Sequence, residues 1–197
     1  NEDAGGDIEI TAGRLSLQDR ASIYTEAKKL GRLDPPTAPG GTIHVVADEV
    51  SLEGSSGIRA TTLTTARSGD VHLEIDGALR LSDRSGITTQ PLGTGDAGDI
   101  WIGAGSVDLE VGSQIQSEAM REFGAPGDIT LVVDGGVRVS GIYGTDAASL
   151  VQSLISARVT HSESLADAGD IWIDAGSLEV SGGGLISART LATEGTA

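Results

Sequence analysis

Seven carboxylates of this chain fall at two repeated positions. Asp7, Asp70, Asp99, Asp128 and Asp170 each follow a glycine, with Thr42 in the equivalent place of one further segment, and Asp96 and Asp167 stand three residues before two of them. Hard cations take oxygen ligands, and Ca²⁺ takes six to eight of them. Asp96, Asp99, Asp167 and Asp170 are therefore the candidate calcium ligands. One carboxylate per corner supplies too few oxygens unless carbonyls and water complete the shell, and the Gly-Gly-x-Gly-x-Asp nonapeptide of calcium-loaded β-rolls is not present. A carboxylate beside a tight corner also accepts main-chain N–H bonds, as in an Asx-turn. Corner capping is the expected role of the column, with calcium bridging as its functional alternative.

Trp101 and Trp172 occupy the outward position of a Gly-Asp-Ile-x-Ile strand, where the equivalent residues elsewhere are Glu9, His44, His72 and Thr130. With Thr130 between them, two inter-strand steps separate the tryptophans by about 10 Å. Each indole is expected to lie under a loop or partner strand, and stacking on sugar rings is the functional alternative. His44 and His72 are expected to be neighbours on the same face. Two imidazoles with no third ligand in view are read as surface histidines. No Gly-x-Ser-x-Gly elbow, His-Glu-x-x-His pair or phosphate-binding Gly-x-x-x-x-Gly-Lys loop occurs. An Asp cluster that cleaved acidic polysaccharides would call for basic neighbours, and the chain has two lysines. No catalytic residue is assigned, and the chain is not expected to be an enzyme.

Placing these residues requires a repeat. DAGDIWI occurs at 96–102 and again at 167–173, and LISAR at 154–158 and 185–189. Units begin near Gly6, Gly41, Gly69, Gly98, Gly127 and Gly169, at spacings of 35, 28, 29, 29 and 42. Each unit reads as three short strands. The first carries Ile8, Ile43, Val71, Ile100, Ile129 or Ile171. The second is an apolar-x-apolar step such as Leu79/Leu81, and the third begins at Ile23, Ile58, Ile87, Ile115, Ile155 or Ile186. Period-two alternation over such short runs is strand patterning. Strands this short bury their apolar faces only by stacking on the next unit, at about 4.8 Å.

The expectation is an all-β, single-stranded right-handed parallel β-helix, one continuous segment over 1–197, with about six coils of 28–29 residues. Extra residues in the first and fifth coils are expected to leave as loops at about 26–40 and 141–153. Small residues beside the third-strand column, Thr25, Ala60, Thr89, Ser117, Ala157 and Ala188, are expected to fill a narrow corner.

The wider composition agrees. The 197 residues include 29 glycines, five aromatics and no cysteine, with a formal charge of −16. That charge opposes nucleic-acid phosphates and anionic membranes. No apolar run is long enough to span a bilayer as a helix, and no N-terminal secretory signal is read.

The motif [Ala/Pro]-Gly-Asp-Ile-x-Ile-x-Ala-Gly-Ser-Leu-x-Val, followed by x-Ile-Ser-Ala, resembles the repeats of filamentous haemagglutinin-type exoproteins. Residues 98–107 and 169–178 match best. The resemblance implies a right-handed parallel β-helix, export from a Gram-negative-type cell through an outer-membrane secretion partner, and adhesive or filament-like service outside the cell. The Asn-Pro-Asn-Gly signature of that family's secretion domain is not present, and Asp stands where its repeats often carry Asn.

The functional expectation is a structural shaft or adhesin segment without catalysis. A subunit of an extracellular fibre, stacking end to end, is the alternative, and a polysaccharide-binding or polysaccharide-cleaving domain is a third. Both termini read as plain repeat, with no cap recognised over residues 1–13 or 185–197. Coil-on-coil contact is expected there, from a longer array or from a second copy.

Overall fold

The structure is a computed structural model and describes residues 5–28, 39–121, 124–144, 150–161 and 166–190. The chain is all-β, a parallel β-solenoid of about five turns. In chain order the first two rungs contribute β1 (Ile8–Leu17), β2 (Ser22–Ala27), β3 (Ile43–Leu52) and β4 (Gly57–Thr62). The middle rungs contribute β5 (Val71–Leu81), β6 (Gly86–Pro91), β7 (Ile100–Leu109) and β8 (Gln114–Ala119). Then follow β9 (Ile129–Ser140), β10 (Ile142–Tyr143), β11 (Val151–Gln152), β12 (Leu154–Val159), β13 (Ile171–Ser181) and β14 (Leu185–Thr190). The long strands form one six-stranded sheet in the order β1-β3-β5-β7-β9-β13, and the short ones a second, β2-β4-β6-β8-β12-β14. All rung-to-rung pairings are parallel.

The apolar columns are the register of these sheets. Ile8, Ile43, Val71, Ile100, Ile129 and Ile171 are successive partners in the first, and Ile23, Ile58, Ile87, Ile115, Ile155 and Ile186 in the second. Together with Leu52, Leu81, Leu109 and Val139 they make one core that is fully buried in the middle rungs. Alternation along each long strand puts these residues inward and their neighbours outward.

Three strands per coil were expected, and two are found. The first and second are one strand, bent where the register shifts, as between Ile75 and Ala78 or Ala104 and Val107. Hydrogen bonding carries through such a bulge, and the surplus residue only turns the strand. Gly105 sits at one of these bends. A Cβ there would lie 2.8 Å from the carbonyl oxygens of both Asp76 and Gly77 one rung before.

The corner after each long strand uses left-handed backbone. Asp19 and Arg20, Gly54 and Ser55, Asp83 and Arg84, Val111 and Gly112, and Gly182 and Gly183 all have positive φ. Beside this corner Ser56, Ser85, Ser113 and Ser153 form a fully buried column. Ser56 and Ser113 donate to the carbonyls of Glu53 and Glu110, while Ser85 and Ser153 accept from the N–H groups of Ser56 and Gly112 in the rung before. Val111, at φ 51°, is the misfit, because a β-branched side chain is crowded in that region. Val111→Asn is expected to raise stability by about 1 kcal/mol, read from urea unfolding of the two proteins.

In the fifth rung the chain leaves the stack as an antiparallel hairpin, β10 with β11, and returns at Ser153. The hairpin folds back on the left-handed corners: the Arg84 guanidinium lies 4.3 Å above the Tyr143 ring. In the first rung β2 runs through Ala27, so pairing with β4 extends into the segment expected to be looped. Residues 29–38, most of that expected loop, lie outside the described residues, as do residues 145–149 and 191–197.

Candidate functional site

The Gly-Asp corner is built from rung-to-rung contacts. Asp7 Oδ1 accepts from the N–H of Thr42, Asp70 from Asp99, Asp99 from Asp128 and Asp128 from Asp170, each at 2.8 Å. The carboxylates thus cap the following rung, where an Asx-turn would have capped its own. Asp96 works in the same way, accepting from the N–H of Ala125 at 2.8 Å. The hydroxyls of Thr25 and Thr89 donate to the carbonyls of Gly41 and Gly98, and Ser117 accepts from the N–H of Gly127. The narrow corner expected for these small residues is a hydrogen-bonded seam.

The four acids read as calcium ligands are spread along this seam. Asp128 stands between Asp99 and Asp170, and Ala125 occupies the place between Asp96 and Asp167. Among the described residues the basic group on the column is Arg67, which pairs with both Asp70 and Asp99, the latter at 2.7 Å. Burial works against its charge, but the two carboxylates outweigh that, and the guanidinium is held protonated more firmly than usual. Asp128 tests what the column does. Asp128→Asn keeps the acceptor and removes a charge, so stability should stay within about 0.5 kcal/mol, whereas Asp128→Ala should lose about 1 kcal/mol. Thermal melts of the two variants against the parent decide it.

The outward face of the long-strand sheet is more individual. Glu9, His44, His72, Trp101, Thr130 and Trp172 are successive register partners, as the repeat requires. No loop among the described residues covers Trp101. The indole instead lies along its own strand over Gly103, where a Cβ would sit 2.6 Å from the ring, and stacks on His72 with centroids 4.2 Å apart and planes at 11°. Trp172 has Asp174 where Trp101 has Gly103, and its ring stands 66% exposed. The two tryptophans, one packed and one open, do not form a matched pair.

His44 meets His72 edge-on, with centroids 5.1 Å apart. Both Nε2 atoms point at a single carboxylate oxygen, Glu74 Oε1, at 3.4 Å from His44 and 3.1 Å from His72. The hydrogen bond from His72, and after it the one from His44, holds the Glu74 carboxyl below its ordinary range. Sequence reasoning missed Glu74. The only clue was that it stands two residues after His72, and alternation sends both to the same face. Among the described residues this is the one group of three His, Cys, Asp or Glu side chains whose donor atoms all lie within 4.8 Å of one another. Glu74 and Trp101 also line a shallow open depression with Asp76, Gly103 and Val132.

A wider groove runs across the outer face of the short-strand sheet, lined by Tyr24, Arg59, Gln90, Gln116 and Glu118. Its polar groups are largely engaged with one another: Gln90 and Gln116 both donate to Glu118, which also pairs with Arg158 at 3.0 Å. No family model matches the chain, and comparisons with curated proteins and with solved structures found nothing similar to it.

Proposed function

We propose that the chain is a structural shaft or adhesin segment of a secreted, cell-surface exoprotein of the filamentous haemagglutinin type, with no reaction of its own. It would work outside a Gram-negative-type cell, after export through an outer-membrane secretion partner. The observation that supports this most is the continuous parallel pairing of six strands in each sheet, interrupted only by bulges at the bends of the long strands. After the fifth-rung insertion the short strand rejoins its neighbour in register, Leu154 with Gln114 through Val159 with Ala119. Most of its column carboxylates hold one rung to the next instead of converging on a substrate.

Antibodies raised against the chain should label intact cells of the source organism, and external protease should abolish the signal. Labelling that appears only after lysis would overturn the reading. The alternative reading is a fibre subunit stacking end to end. Sedimentation velocity at rising concentration separates the two: a constant coefficient fits the shaft, and a steadily growing one fits the fibre.

A further inference from the structure

We infer that His44, His72 and Glu74 form a binding site for a divalent transition cation of the zinc class, on the outer face of the long-strand sheet. The inference stands apart from where the protein works and rests on side-chain geometry. Zinc lies about 2.0–2.1 Å from imidazole nitrogen and about 2.0–2.2 Å from carboxylate oxygen, so the donors at two tetrahedral corners are about 3.3–3.5 Å apart. The Glu74 oxygen stands 3.4 Å from the Nε2 of His44, within that spacing, and 3.1 Å from the Nε2 of His72, a small side-chain adjustment short of it. Now the three atoms share hydrogens. A cation would take their place once each imidazole carries its proton on Nδ1, which frees the Nε2 lone pair for the metal.

Two imidazoles and one carboxylate select a borderline cation. Ca²⁺ and Mg²⁺ prefer oxygen throughout, while zinc and its neighbours accept nitrogen readily. The scaffold also fixes the donors. His44 and His72 are register partners on β3 and β5, and each is flanked along its strand by fully buried residues, Ile43 and Val45 or Val71 and Leu73. Trp101 stacked on His72 holds that imidazole plane, and Gly103 leaves room for the indole to do so. The next outward places beside Glu74 are Val46 and Gly103, so no cationic side chain competes for the carboxylate there. The side chains remain 36% (His44), 38% (His72) and 52% (Glu74) exposed. Water completes the shell, and a cation enters directly from solvent. The formal charge of −16 favours its approach.

The test is a calorimetric titration of Zn²⁺ into the whole chain in a non-chelating buffer, beside a fluorescence titration with Ni²⁺. Trp172→Phe leaves Trp101, next to His72, as the reporting indole. One saturable Zn²⁺ site per chain is expected. Glu74→Gln should weaken it about tenfold and His44→Ala about a hundredfold, with melting temperatures near the parent's because both side chains are exposed. Ni²⁺ should quench Trp101 with the same stoichiometry, and excess Zn²⁺ should reverse the quenching. Millimolar Ca²⁺ or Mg²⁺ should not displace the ion. Absence of saturable Zn²⁺ binding would overturn the assignment. So would affinity unchanged in Glu74→Gln and His44→Ala, or Ni²⁺ binding that leaves Trp101 fluorescence untouched.

Discussion

Gly98→Ala is expected to lower stability by roughly 3 kcal/mol or more, enough to unfold a marginal domain. A Cβ at this position would fall on the carbonyl oxygen of Gly69, one rung before, and the same relation recurs at Gly69, Gly127 and Gly169. The rung cannot retreat to make room. Gly98 N–H donates to Ser68 at 2.7 Å, its carbonyl accepts from Thr89 at 2.6 Å, and the next N–H, of Asp99, is held by Asp70. Moving the corner breaks all three. Gly6 provides the control, because a Cβ there meets nothing within 4 Å, and Gly6→Ala should stay within about 0.5 kcal/mol of the parent. Urea unfolding of the two alanine variants side by side checks the contrast. Equal stabilities would mean that steric closeness at the corner does not set the requirement for glycine.

Ile100→Asp is expected to be at least as damaging, at about 4 kcal/mol or more. Ile100 is 1% exposed, between Val71 and Ile129 in the column, and a carboxylate there would have aliphatic neighbours and no partner. Protonation would relieve part of the penalty, so the variant should regain stability as the pH falls toward the ordinary carboxyl range. The sign follows from burial: the folded-state pKa of the introduced group is raised above its unfolded value. The loss is therefore greatest above the folded pKa and smallest below the unfolded one. Far-ultraviolet circular dichroism during melts at several pH values reads both the size and the direction. Unchanged melting at neutral pH would contradict the inward assignment of the column.

The solenoid was legible because its evidence is redundant. Each column residue is seen six times, and a misplaced unit would put aliphatics outside. The corner acids were legible in position but only partly in action. A repeat supplies every carboxylate with equivalent N–H groups in its own rung and in the next, and only geometry distinguishes them. The serine column was hidden by its surroundings: Ser56, Ser85 and Ser113 sit beside Gly or Asp that look like ordinary turn chemistry, and Ser153 follows the fifth-rung insertion. Glu74 was hidden for the opposite reason. Its place is held by Thr11, Val46, Gly103, Val132 and Asp174 in the other rungs, so alignment of units carries no signal for it. What repeats makes the fold readable, and what does not repeat makes the surface particular.

The rung-to-rung seam also bears on how a gene for such a chain can change. Each of these Gly-Asp corners offers a carboxylate acceptor to the following rung and donates its own N–H to the carboxylate of the preceding one, so one rung carrying Gly-Asp can follow another. The identical stretches at 96–102 and 167–173 are natural points for unequal crossing-over. An exchange between them removes residues 96–166 and seats Gly169 and Asp170 where Gly98 and Asp99 had been. Asp70 then accepts from the N–H of Asp170, and the aliphatic columns rejoin without a gap. A change of length made this way would come in whole rungs, with the corner bonds and the aliphatic columns kept in register on both sides of the join.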